Sequence, residues 1–115
     1  MTVSVIMPVY NEEERVHDAI RQCLSQPCVN QLIIVDDGSK DATPQRLKEV
    51  SDPRVKVVLH EKNQGKGAAI HTGLKHASSD IVVIQDADLE YDPSEYSRLL
   101  KPIFDDDADV VFGSR

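Results

Sequence analysis

The stretch QLIIVDDGSKDATPQRLKEVS, residues 31–51, changes character twice within a few residues. An unbroken aliphatic run, Leu32 to Val35, ends in the paired acids Asp36 and Asp37, and Gly38 then supplies the positive φ that lets the chain turn back. Thr43 follows as a predicted N-cap, with Pro44 at the first helical position. Apolar residues in an unbroken run, rather than alternating with polar ones, mark a strand covered on both faces. Such a strand, running through a tight turn into a helix, is one unit of a parallel sheet flanked by helices.

The unit recurs on both sides. VSVIMPV (3–9), RVKVVLH (54–60), DIVVIQD (80–86) and ADVVFGS (108–114) predict four more strands of the same covered kind. NEEERVHDAIRQCLSQ places Val16, Ala19, Ile20, Cys23 and Leu24 at helical spacing, with Asn11 as the N-cap. GKGAAIHTGLKHA carries Ala69, Ile70, Gly73, Leu74 and Ala77 on one stripe. DPSEYSRLLKPIF opens with Asp92 as cap, Pro93 at the first helical position and Glu95 as in a capping box, while Pro102 kinks or shortens it. The alternation predicts an α/β fold with a mainly parallel sheet and right-handed crossovers. At 115 residues the chain makes about one domain. It stops at GSR, straight after a strand pattern, so residues 1–115 are expected to be a domain truncated on its C-terminal side.

Charge narrows the partners. Twenty acidic residues face 13 basic ones, a net charge of −7, which argues against a nucleic-acid backbone. A phosphate bound through a divalent cation is still allowed, because the ion reverses the local sign. Cys23 and Cys28 lack CxxC spacing and metal-site companions, which reads as a reducing compartment, with a short-loop disulfide as the alternative. No apolar run approaches the roughly 18 residues of a spanning helix, and no charged region precedes the first apolar stretch. The expectation is a cytoplasmic chain, compatible with peripheral contact at a membrane surface.

In open α/β sheets ligands bind beyond the carboxyl ends of the strands. There the sequence places PVYNEEE, VDDGSKD and QDADLE, so acids and turn residues gather along one edge. Asp86 and Asp88, with Glu90 two residues further, offer oxygen ligands to a hard cation such as Mg²⁺ or Mn²⁺; the bland alternative is a solvated turn. A carboxylate of the Asp36–Asp37 pair can accept an N–H from a nucleobase edge, or simply cap the next helix. Tyr10 can stack on a flat base or fill the sheet rim. Gly65 and Gly67 flank Lys66 at a helix start, where amide donors and a cation suit an anion or a base carbonyl; no phosphate-binding loop motif is present. His17, His60, His71 and His76 lack metal-like spacing and are expected on surfaces or helix faces.

Taken together, VSVIMPVYNEEERV, LIIVDDGSKDAT, NQGKGAAIHTGLKHASSDIVVIQDADLEYDP and ADVVFGSR resemble, in order and spacing, the family 2 glycosyltransferases of the GT-A fold. The resemblance covers essentially the whole chain. DADLEYDP and VVFGSR look most like the branch that makes polyprenyl-phosphate sugars. The resemblance implies the Rossmann-like, nucleotide-binding half of a GT-A fold. Pro8, Tyr10 and Glu12 would line a nucleoside pocket, Asp37 would bond the base edge, and Lys66 would touch the nucleotide. Asp86 and Asp88 would be the catalytic D-x-D pair holding ribose and a diphosphate bridged by Mg²⁺ or Mn²⁺. Glu90, where that branch often has Gln, would stand near the metal. The implied reaction is inverting transfer of a hexose from a UDP- or GDP-sugar to a polyprenyl phosphate or a cell-envelope glycan, at the cytoplasmic face of a membrane. Two rivals remain from the residues: a phospho-receiver domain, whose acids also gather around Mg²⁺, and a binding module that keeps the fold without transfer.

Overall fold

The computed structural model describes residues 2–87 and the backbone of 110–112. The elements are β1 (Val3–Val9), α1 (Val16–Leu24), β2 (Val29–Asp36), α2 (Thr43–Lys48), β3 (Val55–Leu59), α3 (Lys66–His76), β4 (Ile81–Ile84) and β5 (Val110–Phe112). The helix predicted to start at Asp92, with Pro93, Glu95 and Pro102, lies outside the described residues.

Among the described residues all strand pairings are parallel, and the sheet order is β3-β2-β1-β4-β5. The chain steps outward from β1 to β3 and then returns to the other side of β1. That reversal opens a crevice between the carboxyl ends of β1 and β4, where doubly wound sheets take their ligands. It also sets aside the phospho-receiver alternative, whose flavodoxin-like order is 2-1-3-4-5.

Alternate side chains of the central strands feed two cores. Val3, Val5, Met7 and Val9 of β1 pack with Leu32 and Ile34 beneath α1, while Ile6 joins Ile33, Val35, Val82 and Ile84 beneath Ala69 of α3. Both faces are covered, so the strands needed no polar alternation. β3 departs from the prediction: it is an outer strand among the described residues, with Val55, Val57 and Val58 half-buried, Lys56 exposed and Leu59 49% exposed. A flanking position in the sheet, not composition, decides its burial.

Helix starts also shift. Arg15, not Asn11, sits at the α1 N-cap, and Ala42, not Thr43, at that of α2. Asn11 and Thr43 are engaged in bonds between loops, described below. On α3, Ala69 and Gly73 are buried, but Leu74 is 44% exposed, so the apolar stripe is narrower than predicted.

Gly73 permits the close approach of α3 to the sheet. A Cβ there would lie 2.5 Å from Cγ2 of the fully buried Ile6. Gly73→Ala should gain about 1 kcal/mol of helix propensity but lose about 1–3 kcal/mol to overpacking. The expected net is a loss near 1 kcal/mol, read as a lower thermal midpoint. Gly67→Ala, on the same helix with open space around its Cβ, should instead gain about 0.4–1 kcal/mol. Equal shifts for the two variants would contradict the packing described.

Candidate functional site

A cavity of about 450 Å³ opens at the β1/β4 reversal. β1 supplies Pro8, Val9, Tyr10 and Glu12 at its exit; Asp37 follows β2; Asn63, Gly65, Lys66 and Ala69 come from the start of α3; Asp86 and Ala87 follow β4. All described members of the predicted site, Pro8, Tyr10, Glu12, Asp37, Lys66 and Asp86, therefore meet in one place. Asp88 and Glu90 lie outside the described residues.

The adjacent acids of β2 part company because successive side chains leave a strand on opposite sides. Asp36 turns to its own loop, where Oδ1 accepts the Ser39 N–H at 2.9 Å, an Asx turn. Asp37 points toward the cavity with a side chain only 6% exposed. Its Oδ1 accepts from Nδ1 of His60 at 2.9 Å and from the Gln64 N–H at 2.9 Å; its Oδ2 accepts from the Gly65 N–H at 2.8 Å. Burial alone would push this carboxyl upward, but the donors of Gln64, His60 and Gly65 outweigh it and hold the group below the usual carboxylate range. An ionised carboxylate offers about four acceptor positions, so one remains for a ligand. The amides at the start of α3 thus do something other than expected: those of Gln64 and Gly65 serve the protein's own carboxylate.

His60 is the main correction to the surface roles predicted for the histidines. It follows β3 as the acids follow their strands, and its side chain is 8% exposed. Its Nε2 meets Oγ1 of Thr72 at 2.9 Å. Only that exit position hinted at the role; its partners are 12 and 23 residues away. His17 is half-buried on α1, with Nε2 2.8 Å from the Arg46 carbonyl; His71 is exposed and His76 half-buried.

The rim is stitched together across loops. Asn11 adopts φ 53, its N–H donates to Ser39 Oγ at 2.8 Å, and its Oδ1 accepts the Lys40 N–H at 2.8 Å. The Glu12 N–H donates to Thr43 Oγ1 at 2.9 Å, and the Thr43 hydroxyl donates in turn to Asp41. These bonds fix where Tyr10 and Glu12 leave β1, and they explain why neither Asn11 nor Thr43 caps a helix.

On the β4 side, Lys66 Nζ donates to Asp86 Oδ2 at 2.8 Å. A positive charge at the exit of β4 is thus present, supplied by the protein. The carboxylate oxygen chemistry of Asp86 suits a hard divalent cation. Among the described residues no group of three or more His, Cys, Asp or Glu side chains converges to complete such a site.

Cys23 and Cys28 are both free, which removes the disulfide alternative, and burial raises the Cys28 thiol. Among the described residues no helix is long and apolar enough to cross a membrane.

Comparison with known proteins places this geometry. The profile of "Glycosyl transferase family 2" matches residues 4–115. The chain is 35% identical over 130 residues to a UDP-N-acetylglucosamine–dolichyl-phosphate N-acetylglucosaminyltransferase of Methanococcus voltae, covering 98% of this chain and 51% of that protein. It is 36% identical over 116 residues to an undecaprenyl-phosphate 4-deoxy-4-formamido-L-arabinose transferase of Salmonella choleraesuis, covering 95% of this chain and 35% of that one. The chain therefore spans about half and about a third of these relatives. A mannosyltransferase of Pyrobaculum calidifontis, solved with GDP-Man and Mn²⁺, superposes with a TM-score of 0.69 at 32% identity, over 75% of this chain and 27% of that one.

Proposed function

We propose, from the premise that this chain belongs to glycosyl transferase family 2, that it is the donor-binding part of an enzyme transferring a hexose from a nucleoside-diphosphate sugar to a polyprenyl phosphate. One observation carries the reading: three strand exits and the start of α3 bring Tyr10, Glu12, Asp37, Lys66 and Asp86 to a single cavity where the strand order reverses. Tyr10, 42% exposed at the rim, stacks on the base. Asp37, ionised and with one acceptor position left, takes an N–H from the base edge. Uracil and guanine carry a ring N–H there, whereas the corresponding nitrogen of cytosine carries none, so UDP- and GDP-sugars are favoured over CDP-sugars. The names of the relatives, one acting from UDP-N-acetylglucosamine and two on lipid phosphates, support the same donor and acceptor classes.

Asp86, with Asp88 and Glu90, would hold Mg²⁺ or Mn²⁺, and the mannosyltransferase solved with Mn²⁺ supports that class of ion. When bound, the ion neutralises charge on the departing nucleoside diphosphate. Lys66, at the start of α3 on the cavity wall, would offer its ammonium to a phosphate oxygen of the donor. An ionised lipid phosphate attacks with inversion and needs no strong general base. Work at the cytoplasmic face of a membrane follows from a lipid acceptor and a nucleotide donor.

Thermal unfolding with Mn²⁺ and UDP-, GDP- or CDP-sugars tests this. One of the first two, at about a hundred times its dissociation constant, should stabilise the chain by about 2.7 kcal/mol. The shift should vanish with chelator and in Asp86→Asn. A shift that survives chelation removes the metal from the reading; no shift with any nucleotide removes the donor site.

A further inference from the structure

The geometry points to His60 as the positioning residue of the base site: anchored on the sheet and on α3, it aims the Asp37 carboxylate at the nucleotide. The inference rests on the donor-site reading above. A carboxylate turns easily about its last torsion, which has broad, roughly two-fold minima, so something must select the rotation that leaves one acceptor position facing the cavity. Three donors do so. Two of them, the Gln64 and Gly65 amides, lie just ahead of α3, outside any helix or strand. They share the loop that walls the cavity and cannot by themselves provide a fixed reference.

His60 is tied to firmer ground. Its backbone N–H donates to the Asp36 carbonyl at 2.8 Å, one step past the β2–β3 pairing. Its ring is held from the far side by Thr72, inside α3, at 2.9 Å. Because an ionised carboxylate only accepts, the Nδ1 facing it carries the proton. Nε2 then accepts the Thr72 hydroxyl proton when the ring is neutral. The imidazole thus spans the exits of β2 and β3 and the body of α3 and fixes their common point on Asp37. The arrangement parallels the outer partners that orient ligating side chains elsewhere, whose loss costs about 10–100-fold.

Substitutions separate aiming from filling. Asn at position 60 keeps an amide donor near the place of Nδ1; Gln reaches the place of Nε2 and leaves Asp37 without its donor. Calorimetry of the whole chain with Mn²⁺ and UDP or GDP, beside thermal midpoints, gives the readout. His60→Gln should weaken nucleotide binding about tenfold or more, and Thr72→Val should weaken it by a smaller factor. His60→Asn should stay within about threefold of wild type, although its midpoint falls like that of His60→Gln. If the Asn and Gln variants bind alike, the ring merely fills space and the inference is overturned. Should His60→Gln fail to fold, Thr72→Val decides: a lowered midpoint with unchanged affinity also overturns it. Asp37→Asn distinguishes the two levels. If it binds like wild type, base recognition by Asp37 fails; if it loses binding while His60→Gln does not, only the role of His60 fails.

Discussion

Asp37→Asn should cost about 2–4 kcal/mol of stability together with nucleotide binding, a large share of the roughly 5–15 kcal/mol a domain of this kind has. The amide is the same shape but keeps one acceptor oxygen. Whichever way it turns, its NH₂ faces either the Gly65 N–H or the pair from His60 and Gln64. One or two buried donors then go unmet, at about 1–3 kcal/mol each. The pH dependence gives an independent check. The folded-state carboxyl is held below its ordinary value, so its contribution is fully present above the unfolded value near 3.9 and is lost as pH falls through the folded one. Urea unfolding should therefore show a gap between wild type and Asp37→Asn that is constant near neutrality and narrows below about pH 4. A gap unchanged by acid would mean that the carboxylate is not held by these donors.

Gly38→Ala is the second large effect. Gly38 sits at φ 77, and a Cβ there would fall 2.5 Å from the Asn63 nitrogen and 2.6 Å from the Lys62 carbonyl carbon. Left-handed backbone costs a substituted residue about 1–2 kcal/mol. The contact atoms are main chain, which cannot rotate aside, adding about 1–3 kcal/mol of overpacking. The loss should reach about 2–5 kcal/mol by chemical unfolding. Nucleotide affinity should fall too, since the displaced loop carries two of the three donors to Asp37. Gly65→Ala separates the causes: its φ is 101 but nothing lies within 4 Å of its Cβ, so it should pay only the conformational part. Gly38→Ala with a wild-type midpoint would show that the loops do not touch.

What the residues announced in advance, and what they did not, follows from the range of the forces involved. Leu32 to Val35 read as a covered strand because both cores press on them. Val55 to Leu59 is aliphatic apart from the exposed Lys56, yet it flanks the sheet, and no local pattern encodes order in a sheet. The convergence of Tyr10, Glu12, Asp37, Lys66 and Asp86 was legible because strand exits of a parallel sheet share one edge. His60 was not, since its meaning comes from Asp37 and Thr72, distant in sequence. Asn11 and Thr43 were misassigned as caps for a related reason: their side chains found stronger use between loops than at their own helices.

The position of β1 has a consequence for how the protein is made. It is central in the sheet, but its pairing with β4 joins residues such as Val3 and Ile81, 78 positions apart along the chain. At about 5–20 residues per second of synthesis, that flank of the strand waits about 4–16 s for its neighbour. During the wait a row of aliphatic side chains and unsatisfied main-chain groups is open to chaperones or to other nascent chains. The cavity at the strand reversal, which Asp86 helps to line, takes shape only when that interval ends.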